Sequence, residues 1–255
     1  MSTGNRPKIG FIATLVVVGV GAFAFTMGFY VLPSGGPSDT IWQRMCRAAG
    51  IVRTVPSGSP QVAPATFTSV VVPHEVFGMG TAEQIGHGAT LALRCTPCHG
   101  PQGLSGANAP NLAGQYPEVI YKQLLDYQRG ARTDPVMNAM AASLTDQNVL
   151  ELTHYYASLP RERPLLALAD APALVRVGDP MRNIAPCASC HGSADRKKGA
   201  PSLSGEPKAY LSAQLAAFAN GRRKNDANAD MRSVARRLTE ANRDTVANYY
   251  AGIAR

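Results

Sequence analysis

Hydrophobic and polar positions divide the chain into three stretches of different character. From Ile9 to Leu32 there are 24 residues without a charge. A helix of that length runs about 36 Å at roughly 1.5 Å per residue, enough to cross the hydrocarbon core of a bilayer. From 33 to 80 the pattern lapses into Pro, Gly, Ser and Thr, with Pro56, Pro60, Pro64 and Pro73 spaced so that no long helix fits between them. Beyond 81, apolar residues recur at helical spacing: Val149, Leu152, Tyr156 and Leu159, then Val246, Tyr250 and Ile253. Each stripe starts behind a threonine that reads as an N-cap, Thr145 and Thr239, and Thr81 with Gln84 has the form of a capping box opening an earlier helix. The pattern predicts an all-α chain with one N-terminal transmembrane helix and two helical domains behind it. The expected boundaries are a cytoplasmic N-terminus at 1–8, an anchor at 9–32, a juxtamembrane segment and linker at 33–80, and domains at 81–160 and 161–255.

The apolar run reads as an uncleaved anchor rather than a signal peptide, because it ends in Phe29-Tyr30-Val31-Leu32-Pro33 without a small-residue cleavage site. Arg6 and Lys8 before the span favour a cytoplasmic N-terminus, an asymmetry weakened by Arg44, Arg47 and Arg53 beyond it. The expected location is therefore a bacterial inner membrane, with the domains in the periplasm. Within the linker, Thr40 to Val52 carries Ile41, Trp42, Met45 and Ile51 at amphipathic spacing. It reads either as a helix at the membrane surface or as one packed on its own globule. Cys46 inside it is either a small apolar residue or a ligand or intermolecular disulfide partner.

Composition changes the picture of the two domains. Aromatic residues make up only 7% of the chain, and 24 Gly and 19 Pro leave thin cores for units of this size, so something besides side chains must fill the interior. The cysteines suggest what. Cys95-Thr96-Pro97-Cys98-His99 and Cys187-Ala188-Ser189-Cys190-His191 both match C-x-x-C-H. At that spacing two thiols add to the vinyl groups of one haem while the adjacent histidine ligates its iron. A zinc or redox reading of the paired cysteines would need further partners, and the sequence holds no other C-x-x-C and no H-x-x-x-H.

The surroundings of the two motifs repeat as well. Behind the first come Gly100, Pro110-Asn111-Leu112-Ala113-Gly114, Gln123-Leu124, Gly130, Arg132, Met137, Leu144-Thr145-Asp146 and Tyr155-Tyr156. Behind the second, in the same order, come Gly192, Pro201-Ser202-Leu203-Ser204-Gly205, Gln214-Leu215, Gly221, Arg223, Met231, Leu238-Thr239-Glu240 and Tyr249-Tyr250. The chain is an internal duplication, each half reading as helix, haem motif, loop, helix, long loop, helix. On these motifs the halves resemble class I cytochrome c domains, and the tandem over residues 81–255 resembles the periplasmic dihaem cytochromes of the c-four type. The resemblance implies two tandem cytochrome c-like domains with two covalently bound haem c. It also implies that the carbonyls of Pro110 and Pro201 hold the ligand histidine rings and that the tyrosine pairs contact the haem surroundings.

For the sixth iron ligand a methionine thioether suits a carrier, because it raises the potential and closes the coordination sphere. Met137 precedes Leu144 by the same interval as Met231 precedes Leu238, whereas the counterpart of Met140 is Val234. The pair Met137 and Met231 is therefore expected beside His99 and His191, with Met140 as packing. The rival is a second histidine, His74, His87 or His154, none of which has a counterpart in the other half.

Net charge is +8, and residues 161–255 carry 16 Lys and Arg against 9 Asp and Glu. Such a basic half attracts anionic partners, and no nucleic-acid-binding motif accompanies it. Arg222, Arg223, Lys224, Arg232, Arg236 and Arg237 read either as a dock for an acidic protein or as a solvated face. Without a nucleophile–base pair or a phosphate-cradling loop, catalysis on a bound substrate is not expected. The expected function is single-electron transport: from a quinol-oxidising complex or dehydrogenase to a terminal acceptor, a haem–copper oxidase foremost. A fixed electron-entry subunit of an oxidase or dehydrogenase complex is the alternative. A dihaem peroxidase or thiosulfate-oxidising enzyme is the third reading.

Overall fold

The computed structural model describes residues 68–161, 168–192 and 197–253, together with Gly19. The chain divides into two units between Val62 and Ala63, and every described residue except Gly19 belongs to the second. Among the described residues no helix is long and apolar enough to cross a membrane. The span expected at 9–32 lies outside them apart from Gly19, which is helical. Cys46 and the 40–52 segment also lie outside them.

The described unit is helical and contains no strand, only one antiparallel bridge between Asp179 and Ile184. In the first half α1 is Ala82–Ala92, α2 Thr96–His99, α3 Pro117–Gln128, α4 Pro135–Ala142 and α5 Asp146–Ser158. In the second, α6 is Ala173–Arg176, α7 Cys187–His191, α8 Lys208–Ala219, α9 Asp230–Arg237 and α10 Glu240–Ala251. The three threonine caps form as read. Thr81, Thr145 and Thr239 each accept the N–H three residues on, and each capping box is closed by the return bond from Gln84, Asn148 or Asn242. Each such cap contributes about 1 kcal/mol, which fixes where the first and last long helices begin.

The stripes face inward. Val149, Leu152 and Tyr156 of α5 bury against Ala92, Ile120, Leu125 and Leu144, while Val246 and Tyr250 of α10 bury against Leu174, Val175, Ile184, Leu211 and Leu238. The helix α1 lies on α5 at Gly88, where a Cβ would collide with the Glu151 carbonyl and the Tyr155 side chain. The equivalent position in the second half is built differently. The helix expected before the second haem motif is one turn long, α6, because Gly178 takes a left-handed φ of +72° and Asp179-Pro180 follow it. Proline has no N–H to continue the helix, and Asp179 caps a tight turn instead by accepting from the Arg182 N–H.

Residues 68–80, read as the end of the linker, pack on the first half. Val76 is fully buried, Thr68 donates to Asp126 Oδ1 at 2.7 Å, and Gly80 sits against the His154 ring. The two halves meet along a polar seam. Gln115 Nε2 donates to the Ser202 carbonyl at 3.0 Å, Asn111 Nδ2 donates to the Gly205 carbonyl at 2.8 Å, and Arg161 pairs with Glu206 at 3.2 Å. The pair is almost free of solvent, with side chains 1% and 3% exposed, so neither charge stays there without the other.

Gly88→Ala is expected to cost about 1–3 kcal/mol by overpacking the α1–α5 crossing. The measurement is the denaturation midpoint of the holoprotein; a shift of less than about 0.5 kcal/mol would mean that the helices separate freely there.

Candidate functional site

Each C-x-x-C-H motif forms a single helical turn, α2 or α7, that points its histidine back into its own half. His99 Nδ1 lies 2.8 Å from the Pro110 carbonyl oxygen, and His191 Nδ1 lies 2.8 Å from that of Pro201. The second-half ring thus repeats the first, as the resemblance implies. Burial favours the uncharged form of both imidazoles and holds their pKa below the usual histidine value, against the opposing pull of the proline carbonyls. With Nδ1–H committed to the carbonyl, Nε2 is left as the lone-pair donor. The loops that carry these prolines are themselves pinned, since Gly114 N–H donates to the Tyr156 carbonyl and Gly205 N–H to the Tyr250 carbonyl, both at 2.8 Å. This explains why P-x-L-x-G and Tyr-Tyr travel together in the repeat.

None of Cys95, Cys98, Cys187 and Cys190 is in a disulfide. Burial raises the Cys95 pKa and pushes that of Cys187 up to about 11. Among the described residues no three His, Cys, Asp and Glu side chains are arranged to cage an ion. Each motif therefore presents one imidazole and two neutral thiols, a donor set suited to thioether attachment and one axial bond.

One cavity of about 630 Å³ is lined from both halves, by Cys95, Cys98 and His99 of the first and by Cys187, Cys190 and His191 of the second. Met137 and Met231 line it, and so does Met140. Both expected methionines stand in the first turn of a short helix, Met137 in α4 and Met231 in α9. Asp134 caps α4 and accepts from Val136 and Met137 N–H at 3.1 and 3.0 Å. In the second half the cap is replaced by two successive left-handed residues, Asn228 (φ 55°) and Ala229 (φ 59°), and by the buried Asp226, which accepts from Arg232 N–H at 2.9 Å and from Arg232 Nε at 2.7 Å. A left-handed alanine is strained, and the buried Asp226–Arg232 pair holds it in place.

None of the three rival histidines lines the cavity. His154 is only 5% exposed and packs against Gly80. His87 is exposed, with Nδ1 3.4 Å from Glu151, and His74 lies in a 3₁₀ turn spanning His74–Phe77. Of the six basic residues grouped in the second half, Arg222, Lys224, Arg236 and Arg237 are exposed, while Arg223 and Arg232 turn inward.

The repeated Gln and Arg marks meet in one hydrogen-bonded group, of which Gln123, Arg132 and Arg223 line the cavity. Arg132 donates to Gln123 at 2.8 Å, to Gln214 at 2.9 Å and to Tyr210 at 3.2 Å, and Arg223 donates to Gln214 at 2.7 Å and to Gln123 at 3.3 Å. Each guanidinium stacks on an aromatic ring of its own half, Arg132 on Tyr127 at 4.6 Å and Arg223 on Phe218 at 4.4 Å. Burial and the adjacent Arg132 charge pull the Arg223 pKa down to about 10. Among the described residues neither guanidinium is paired with a carboxylate. The Tyr250 phenol oxygen at the cavity wall is likewise buried without a hydrogen-bond partner. Two buried guanidinium groups, Arg132 within the field of Asp126, and an apolar-walled space fit a haem, whose propionate edge is anionic. Sequence reasoning used Gln123, Gln214, Arg132 and Arg223 only as repeat markers. A glutamine recurring in a helix that otherwise faces a core, followed by a recurring arginine just beyond that helix, was the available signal.

The site and the helical fold define a c-type cytochrome, and comparison with known proteins agrees. The cytochrome c family model matches residues 184–252. Cytochrome c4 of Thiocapsa roseopersicina is 38% identical over 63% of this chain and 87% of its own length. The thiosulfate dehydrogenase electron acceptor of Stutzerimonas stutzeri is 35% identical over 64% of this chain and 80% of its own. The solved structure of reduced cytochrome c4 from Pseudomonas stutzeri superposes with a TM-score of 0.60 at 30% identity, covering 68% of this chain and 99% of that one. The chain belongs to the cytochrome c4 family, and it is an electron carrier holding covalently bound haem c. The haem supplies the iron(III)/iron(II) couple; the chain's residues hold, orient and shield it.

Asp134→Ala is expected to cost about 1 kcal/mol, the loss of a helix N-cap. Chemical denaturation of the holoprotein reads that loss, and no change in midpoint would remove Asp134 from the support of Met137.

Proposed function

We propose that the chain is a membrane-anchored dihaem cytochrome that carries single electrons in the periplasm from a dehydrogenase or quinol-oxidising complex to a terminal acceptor, a haem–copper oxidase foremost. The observation that carries the reading is the pair of matching histidine–carbonyl cradles lining one cavity. Cys95 and Cys98 hold the first haem, with His99 and Met137 on its iron. Cys187 and Cys190 hold the second, with His191 and Met231 as its axial ligands. Two filled coordination spheres leave no position for a substrate, which suits a carrier. The anchor at 9–32 keeps the haem unit close to membrane partners and raises its effective concentration there.

A sulfur-oxidising donor is the more specific form of this reading, because relatives named as electron acceptors of thiosulfate dehydrogenase match this chain at 35% identity. Reduction of the purified protein by a thiosulfate dehydrogenase with thiosulfate, set against reduction by a quinol-oxidising complex, separates the two donors.

Pyridine haemochrome analysis is expected to return two haems per chain, and one haem would end the dihaem reading. Met137→Ala and Met231→Ala should each remove about half of the near-infrared iron–methionine charge-transfer band of the oxidised protein. A full band in either variant would place the ligand elsewhere. The full chain should stay with membranes through an alkaline carbonate wash and leave them when residues 1–32 are deleted; release of the intact chain by carbonate would refute the anchor.

A further inference from the structure

In each half the carbonyl that holds the histidine ring belongs to a peptide group whose own N–H is gripped from across the seam. The Pro110 carbonyl accepts from His99, and the N–H of the same peptide, on Asn111, donates to Glu206 Oε2 at 2.9 Å. The Pro201 carbonyl accepts from His191, and its peptide N–H, on Ser202, donates to Gln115 Oε1 at 2.9 Å. A trans peptide points its C=O and N–H in opposite directions, so each relay runs from ring through peptide to the other half. Gln115 and Glu206 are equivalent positions in the repeat, each directly behind the glycine of P-x-L-x-G. The relays match in geometry and differ in charge.

We infer that Glu206 and Gln115 set the two haem potentials apart, each acting on the axial histidine of the opposite half through one peptide group. The inference rests on His99 and His191 being axial ligands. Hydrogen bonds in a chain polarise one another, and a carboxylate is a stronger acceptor than an amide. Glu206 therefore draws the Asn111 N–H, enriches the Pro110 oxygen and strengthens its bond to His99 Nδ1–H. The ring gains imidazolate character, becomes the better donor and favours iron(III), so the first haem takes the lower potential. Gln115 exerts the weaker pull on His191, and the second haem takes the higher. Glu206, Asn111, Gln115 and Ser202 are all buried, so water does not damp the difference. Arg161 binds the other carboxylate oxygen, Oε1, and keeps the residue ionised while Oε2 faces Asn111.

The test is potentiometric titration of the full-chain holoprotein, each one-electron wave assigned by its haem methyl resonances, together with the His99 Nδ1–H proton shift of the reduced form. In Glu206→Gln the wave of the His99 haem should rise toward the other, giving a several-fold fall in the inter-haem equilibrium constant at ~59 mV per factor of ten for a one-electron couple. The His99 Nδ1–H resonance should move upfield. Because that variant strands Arg161, the double variant Arg161→Gln/Glu206→Gln removes both charges of the pair and should give the same shifts. Gln115→Glu should instead lower the wave of the His191 haem. Unmoved waves overturn the inference. So do waves that move together with the His99 proton unchanged, since that is charge acting through space. The low-spin bands and the iron–methionine band of each variant report ligation separately, so their absence from the wild-type protein would instead refute the ligand reading.

Discussion

A buried imidazole is suited to bind a metal only if it is neutral and aimed; in each half of this protein burial keeps it neutral and one hydrogen bond to a backbone carbonyl aims it. His99 on Pro110 and His191 on Pro201 have the same 2.8 Å geometry, although the loops between ligand and proline differ by one residue. The carbonyl is fixed because its loop is fixed, through the glycine N–H bound to the end of the last helix. That helix is fixed in turn by its threonine cap and its buried stripe. Capping, packing and ligand orientation are one mechanical chain, which is why the repeat keeps their residues in order.

The seam adds a second constraint. The polar residues that the duplication repeats, Gln123 with Gln214 and Arg132 with Arg223, bond both within their own half and across to the other. Two like charges placed this close are unfavourable unless an anion answers them; burial first, and the Arg132 charge second, depress the Arg223 pKa. The propionate edges of the haems are the natural answer.

Duplication has not left the halves identical. A full α1 crosses α5 in the first, whereas Gly178 and Pro180 shorten the second to one turn and a bridge. Met137 follows an ordinary aspartate cap, and Met231 follows a left-handed pair tied down by a buried Asp226–Arg232 contact. Charged Glu206 stands where the other half has Gln115. Such differences give the two copies of one site unequal surroundings.

Much of this was legible in the residues themselves. Helix period, the threonine caps at 81, 145 and 239, the two C-x-x-C-H turns and the alignment of Met137 with Met231 are local or periodic signals, and local physics is what a linear sequence records. Shortening of α6 was also written there, in Gly178-Asp179-Pro180, but the duplication argued for a helix and outweighed it. The seam could not be read. Arg223 and Arg232 look like members of a solvent-facing cluster until the fold turns one toward Arg132 and the other onto Asp226. Gln115 and Glu206 lie at a repeat position with no visible task until 87 and 95 residues of intervening chain bring them to Ser202 and Asn111. Sequence alone determined the helices, the attachment turns and the candidate ligands, because neighbours along the chain set them. Only the tertiary structure decided which buried charge faces which peptide, because that depends on how one half is laid against the other.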